Sequence, residues 1–186
     1  LLYNRGMGKK IAIDIDDVLA RTAGRIVDYG NNNWGHQYSL RDFVDDDSWK
    51  NLWEEEELER KAELHEAGVY KELEKHLNAY EVLSSLKSKG YELVIVTARE
   101  DVLVDVTNIW LEEHFEGLFT DIRYAGIWDK NNDYFATKAE LCMNLGVDFL
   151  IDDQLSHCVE ASKWGVKSLL FGDYPWNKTQ HSLPHG

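Results

Sequence analysis

The chain has 186 residues, a formal net charge of −14 and an ordinary globular composition, 44% hydrophobic and 29% charged with two prolines. That length fits one domain, or one domain with a sizeable insertion, and buries a core without covalent staples. The acidity speaks against a protein that coats duplex nucleic acid or anionic membrane. It leaves room for a phosphorylated small molecule, because one divalent cation and a few basic side chains reverse the field locally. No apolar run approaches the roughly 18 residues of a membrane span, and the N-terminus has no signal-peptide core, so a soluble cytoplasmic protein is expected. Met7, followed by Gly-Lys-Lys, reads as a translation start and residues 1–6 as an added segment. Two cysteines, Cys142 and Cys158, make neither a disulfide framework nor a zinc site and read as reduced packing residues.

Residues 10–16 (KIAIDID) are β-branched and apolar, then end in carboxylates, which predicts a buried parallel strand with a polar C-terminal tip. Residues 20–77 carry helix-like charge patterning and many aromatics but no convincing strand. A stretch so long cannot be one loop of a compact domain, so it reads as a helical cap inserted after the first strand. Within it, the acid run Glu54–Glu57 reads as a solvated helix face. His36, His65 and His114 show no ligand spacing and read as surface or cap residues.

From residue 78 onward, helix and strand signals alternate. Asn78 with Glu81 is a capping-box signature for a helix that puts Tyr80, Leu83 and Leu86 on one face and stops at Gly90. The run LVIVT (93–97) is the next strand, and Val102, Val106 and Ile109 mark a second helix. DIRYA (121–125) is a weaker strand candidate. Leu141 with Leu145 marks a third helix, closed by Gly146, before the strand DFLID (148–152). Ser156 reads as the cap of a fourth, ended by Gly165, before the strand VKSLLF (166–171). Such alternation predicts a doubly wound, mostly parallel, Rossmann-like α/β sheet with right-handed crossovers. The expected division is a core of residues 7–19 and 78–186 with a small cap at 20–77.

Ligands of open α/β sheets bind beyond the carboxyl ends of the strands, so the polar residues there are the ones to inspect. The first strand ends in Asp14-Ile15-Asp16-Asp17, and side-chain alternation lets Asp14 and Asp16 project to the same side. Another strand ends at Thr97, followed by Arg99, and a third at Asp152-Asp153, with Lys138 opening the helix before it. Carboxylates converging at one sheet edge repel one another unless a cation sits among them, and oxygen-only ligands favour Mg²⁺ over zinc or copper. A hydroxyl and an ammonium beside that metal suit the oxygens of a phosphoryl group.

Four runs, IAIDIDDV, VIVTAR, Lys138 and LIDD, occur in the order and spacing of the four motifs of haloacid-dehalogenase-type phosphohydrolases, which this chain resembles over about residues 10–172. DIDDVLA and the ending LLFGDYPWN are similar to the 5′-nucleotidase and 5′(3′)-deoxyribonucleotidase branch. Two departures stand out: Asp17 occupies the place where glycine is usual, and VTAR replaces a Thr-Ser-Pro-like second motif.

The resemblance implies that Asp14 attacks phosphorus to form an aspartyl-phosphate and that Asp16 protonates the leaving oxygen, then takes a proton from water. Thr97 and Lys138 would hold phosphoryl oxygens, and Arg99 would be either a phosphate contact or half of a surface ion pair. Mg²⁺ would be bound by Asp14, the main-chain carbonyl of Asp16, and Asp152, with Asp153 nearby. The expected substrate is a small phosphomonoester, a (deoxy)nucleoside monophosphate first. Trp34, Tyr38, Phe43, Trp49 and Trp53 of the cap are either packing residues or a flat surface for a nucleobase. A phosphatase of nucleic-acid 3′ ends is the alternative enzyme. A non-catalytic phosphate-binding module is disfavoured by the joint presence of Asp14, Asp16, Lys138 and Asp152. The chain lacks the glycine pattern of a P-loop, and a receiver domain would place its lysine after the paired acids rather than before them.

Overall fold

The computed structural model describes residues 8–126 and 136–178; the reading of Met7 and residues 1–6 lies outside them. In chain order, β1 (Lys10–Ile13) leads into three helices, α1 (Thr22–Asn33), α2 (Asp46–Trp53) and α3 (Glu57–Glu66). Alternation follows, with α4 (Ala79–Ser88), β2 (Glu92–Thr97), α5 (Val104–Phe115), β3 (Asp121–Tyr124), α6 (Lys138–Asn144), β4 (Phe149–Asp152), α7 (Leu155–Lys163) and β5 (Lys167–Leu170). The five strands form one parallel sheet in the order β3-β2-β1-β4-β5. No helix among the described residues is long and apolar enough to cross a membrane.

Alternation along β1 sends Ile11 and Ile13 to one face and Ala12 to the other. Leu83 of α4 and Trp110, Leu111 and Phe115 of α5 cover the first face. Ala139 and Cys142 of α6 and Ala161 of α7 cover the second, where small side chains let the helices come close. Both cysteines are buried and free. The chain runs outward from β1 through β2 to β3, then crosses back to β4 on the other side of β1. The topological switch point therefore lies between the tips of β1 and β4, where a crevice opens.

The insert between β1 and β2 builds a third cluster from Ala23, Ile26, Val27, Phe43, Leu52, Leu64 and Val69, which Trp176 joins from beyond β5. This cap is thus helical, as the sequence indicates, yet its core borrows a residue from the far end of the chain.

Several local expectations are corrected. Asn78 does not cap α4: it sits at φ 61° and its side chain makes no capping bond. Asparagine tolerates this left-handed turn, which swings the chain out of the cap. Helix α7 begins after Gln154, not at Ser156, because the Gln154 N–H is taken by Asp152 at 2.9 Å. On α5 the buried stripe is Thr107, Trp110, Leu111 and Phe115, while Ile109 faces solvent and the exposed Val102 lies in the turn before the helix. The two large rings bury more apolar area than the aliphatic stripe would, and they set the helix rotation. The acid run Glu54–Glu57 is not one helix face. It spans the break between α2 and α3, where Glu54 (2.6 Å) and Glu56 (3.4 Å) hold Arg60 and Glu57 pairs with Lys61 at 2.9 Å. His114 packs edge-on against Trp110, with ring centroids 4.9 Å apart.

Candidate active site

The floor of the switch-point crevice is made by strand tips. Lys138, the first residue of α6, is aimed by the capping box that Thr137 just before it forms with Glu140. Its ammonium lies 2.8 Å from Asp14 Oδ2 and 2.7 Å from Asp152 Oδ2, and all three side chains are buried. The second oxygen of Asp152 accepts from Gln154 N and lies 3.2 Å from His157 Nδ1. The second oxygen of Asp14, Oδ1, is buried without a hydrogen-bond partner. Burial alone would lower the Lys138 ammonium, but Asp14 and Asp152 hold it well above its ordinary value. Burial, with Asp152 and Asp16 close by, pushes Asp14 up to about 6 in spite of Lys138. Asp152 stays below the usual carboxylate range because His157 and Lys138 outweigh its burial.

Asp16 is turned the other way. Its carboxylate accepts from Arg99 Nη2 (2.7 Å) and Nε (3.0 and 3.2 Å) and from the Thr22 hydroxyl (2.5 Å). Against the cost of burial, Arg99 and Thr22 hold it below the usual range. Of the two readings left open for Arg99, the ion pair forms but is buried rather than at the surface: its side chain is 1% exposed and also donates to Thr107 Oγ1 at 3.0 Å. The guanidinium grips a neighbouring carboxylate from beneath, a bidentate geometry lysine could not supply. Thr97 is fully buried at the tip of β2, and its hydroxyl accepts from Arg99 N at 3.3 Å.

Asp17 explains its own departure from the usual glycine. It sits at φ 56°, a conformation that short polar side chains tolerate, and both its oxygens accept from Ala23 N (3.1 and 3.2 Å). It thereby caps α1, whose adjoining residue Arg21 offers no side-chain cap. Burial and the Asp16 charge push Asp17 up to about 7, and burial with Asp14 and Asp152 pushes Asp153 up to about 8. Five carboxylates (Asp14, Asp16, Asp17, Asp152, Asp153) thus crowd two cations, Lys138 and Arg99. One oxygen each of Asp14, Asp152 and Asp153 comes within 4.8 Å of the others, a spacing that suits a hard divalent cation.

Two cavities meet over this floor. One of about 320 Å³ is lined by Asp14, Lys138, Asp153, His157 and Trp176. The other, about 580 Å³, lies between cap and sheet and is lined by Trp49, Trp53, Lys61, Tyr70 and Arg99. Asp16, Asp17, Trp49 and Ala98 border both. Of the five cap aromatics, Phe43 is core at 1% exposure, and Trp34 and Tyr38 pack around it. Trp49 and Trp53 face the larger cavity. Sequence reasoning missed Thr22, Tyr70, His157 and Trp176. Only Trp176, within the LLFGDYPWN run, carried a signal.

Three comparisons bear on this geometry. The family model described as 5′ nucleotidase, deoxy (pyrimidine), cytosolic type C matches residues 9–183. A protein of Halalkalibacterium halodurans that bears a provisional nucleotidase name is 27% identical over 172 residues, 91% of this chain and 82% of the relative. Among solved structures, a haloacid-dehalogenase-like hydrolase of Streptococcus pneumoniae superposes with a TM-score of 0.63 at 15% identity, covering 87% of this chain and 83% of that one. A protein of Clostridium acetobutylicum assigned as a phosphatase gives 0.62 at 20% identity, with 88% and 84% covered. These two likenesses establish the fold.

Proposed function

Since the chain belongs to the cytosolic type C 5′-deoxynucleotidase family of haloacid-dehalogenase-like phosphomonoester hydrolases, we propose that it hydrolyses (deoxy)nucleoside monophosphates with Mg²⁺ by way of an aspartyl-phosphate on Asp14. The observation that carries this reading is the Asp14 carboxylate: one oxygen is held by Lys138 and the other is buried with no partner. A buried acceptor without a donor is costly, and a cation or a reacting group resolves it. The donor set fits Mg²⁺, which Asp14, Asp152, Asp153 and the Asp16 carbonyl would hold. When bound, it would neutralise enough charge for a phosphate dianion to approach.

In the first step an oxygen of Asp14 bonds to phosphorus as the bond to the leaving oxygen breaks, and the leaving oxygen takes a proton from Asp16. In the second step water attacks phosphorus, Asp16 receives its proton and Asp14 is released. Lys138 and Thr97 steady the phosphoryl oxygens. Arg99, gripping Asp16, holds it in the ionised form that the second step needs. For the first step Asp16 has to carry a proton and loosen from that grip. Trp49 and Trp53 offer the base a flat apolar wall.

Phosphate release tests the reading across nucleoside monophosphates, sugar phosphates and 3′-phosphorylated oligonucleotides, with and without Mg²⁺. The expected result is preference for the nucleotides, loss of activity in excess chelator and recovery with Mg²⁺. Full activity after exhaustive metal removal would overturn the metal. Equal specificity constants for nucleotides and sugar phosphates would overturn the substrate class, and preference for the oligonucleotides would turn the reading to 3′-end repair.

A further inference from the structure

The run that follows β5 crosses the switch-point crevice and ties three parts of the molecule together. Asn177 Nδ2 donates to the carbonyls of Phe171 (2.9 Å) and Gly172 (3.1 Å), closing a tight loop on the end of the strand. Inside that loop Tyr174 and Trp176 stack almost parallel, with centroids 4.6 Å apart and planes at 4°. The Tyr174 hydroxyl donates to the Asp17 carbonyl at 2.8 Å, fixing the loop against the turn that follows β1. Trp176 is 7% exposed and packs in the cap cluster, 6.2 Å from the ring of Trp49. Its indole N–H donates to Asp153 Oδ2 at 2.8 Å.

One side chain thus belongs to the cap through its ring and to the carboxylate floor through its nitrogen. The ring alone would serve a packing role, and a phenyl or aliphatic group would fill the same cluster. The nitrogen is what packing does not call for. Buried N–H groups need an acceptor, and here the acceptor is one of the three carboxylates whose oxygens converge within 4.8 Å. Asp153 has no other hydrogen bond or ion pair among the described residues, so Trp176 alone fixes which way its carboxylate turns.

We propose that Trp176 is a positioning residue that orients Asp153 for the divalent cation and links metal affinity to the seating of the cap. The inference rests on the Mg²⁺ reading above and goes beyond it in naming the side chain that tunes the site. A hydrogen-bond partner behind a metal ligand typically changes metal affinity by about 10- to 100-fold. Because Trp176 also neighbours Trp49 on the cavity wall, an occupant pressing on Trp49 is felt at Asp153 through one shared ring.

The test is Mg²⁺ binding to the intact chain by isothermal titration calorimetry, independent of turnover. Trp176→Phe keeps an apolar ring and deletes the donor. A benzothiophene analogue of tryptophan at position 176 keeps the bicyclic shape as well, and serves if the phenyl variant does not fold. Expected are a Mg²⁺ dissociation constant raised about 10-fold or more and a melting temperature in chelator close to wild type. In an Asp153→Ala background, which removes the acceptor itself, the same change at 176 should add less than about twofold, since coupled partners share one effect. Affinity unchanged within about twofold by losing the N–H overturns the inference while wild-type binding upholds the metal. An effect that persists in full without Asp153 also overturns it, assigning the loss to cap packing. Wild-type protein that binds no Mg²⁺ overturns the metal reading and this inference together.

Discussion

The carboxylate floor and the aromatic roof of the site are built on opposite terms. On the floor nearly every polar atom has a named partner: Lys138 joins Asp14 to Asp152, Arg99 grips Asp16, and Trp176 holds Asp153. Such a network is rigid because each member is costly to leave unmatched once buried. The roof consists of Trp49, Trp53 and Tyr70, half-buried rings that shape a cavity of about 580 Å³. Rings confer area and flatness, and several arrangements of them would serve. In the proposed function the floor therefore dictates what reaction is possible, and the roof which molecule undergoes it.

That division can be broken experimentally. Its most severe test is Asp14→Asn, which keeps the size of the side chain proposed as nucleophile and removes its reactivity. Turnover should fall at least ~10³-fold, or roughly 4 kcal/mol of barrier, for every phosphate monoester alike. Steady-state kinetics on a nucleotide and an aryl phosphate would measure it, and near-wild-type rates from a folded variant would refute the mechanism. Trp53→Ala, at a wall residue of the larger cavity that does not border the smaller one, sharpens the contrast from the other side. The specificity constant for a deoxynucleoside monophosphate should fall ~5- to 150-fold, the worth of one stacked base at ~1–3 kcal/mol. Turnover of a small aryl phosphate should stay within about twofold, and a proportional fall in both would show that roof and floor are not separable.

The smallest effect is expected at the hinge between the two regions. His76 N donates to the Leu19 carbonyl where the cap returns to the sheet, and its Nε2 lies 3.2 Å from the Tyr174 hydroxyl. Burial, with Arg21 nearby, lowers the His76 pKa below its ordinary 6.5. The folded state therefore favours the neutral ring, and the stability this lends above pH 6.5 is lost as pH falls through the folded value. His76→Gln removes that dependence. Thermal melts should show the variant gaining on wild type between pH 7 and pH 5, and a constant difference across that range would discard the idea.

The floor was legible in sequence to the extent that topology places it. Strand tips ending in Asp14 and Asp152, with Lys138 opening a helix, must converge once the strands are parallel neighbours. Arg99 was not legible in the same way, because a charge after a strand says nothing about which carboxylate the loop will turn it toward. Asn78 and Glu81 match a capping box by spacing, yet the chain needed a left-handed turn there, and that need prevailed. The roof was least legible. Phe43, Trp49 and Trp53 are alike in type and close in sequence, and only the packing of α2 against its neighbours makes the first core and the others wall. Trp176 contributes to that packing from more than a hundred residues away; the LLFGDYPWN run marks it by resemblance, but no spacing ties it to the cap.

The bond from Tyr174 to the Asp17 carbonyl spans 157 positions of the chain, which sets an order in time. The central strand β1 is synthesised first, but its two neighbours begin only at residues 92 and 149, and the loop that closes the crevice emerges after both. Long-range parallel pairing is slow because the entropy of closing large loops is lost before contacts repay it. A nascent chain therefore carries Asp14 for most of its synthesis without Lys138, Asp152 or Trp176 beside it. The proposed site is therefore completed late, by segments that follow residue 137, rather than accumulating along the way.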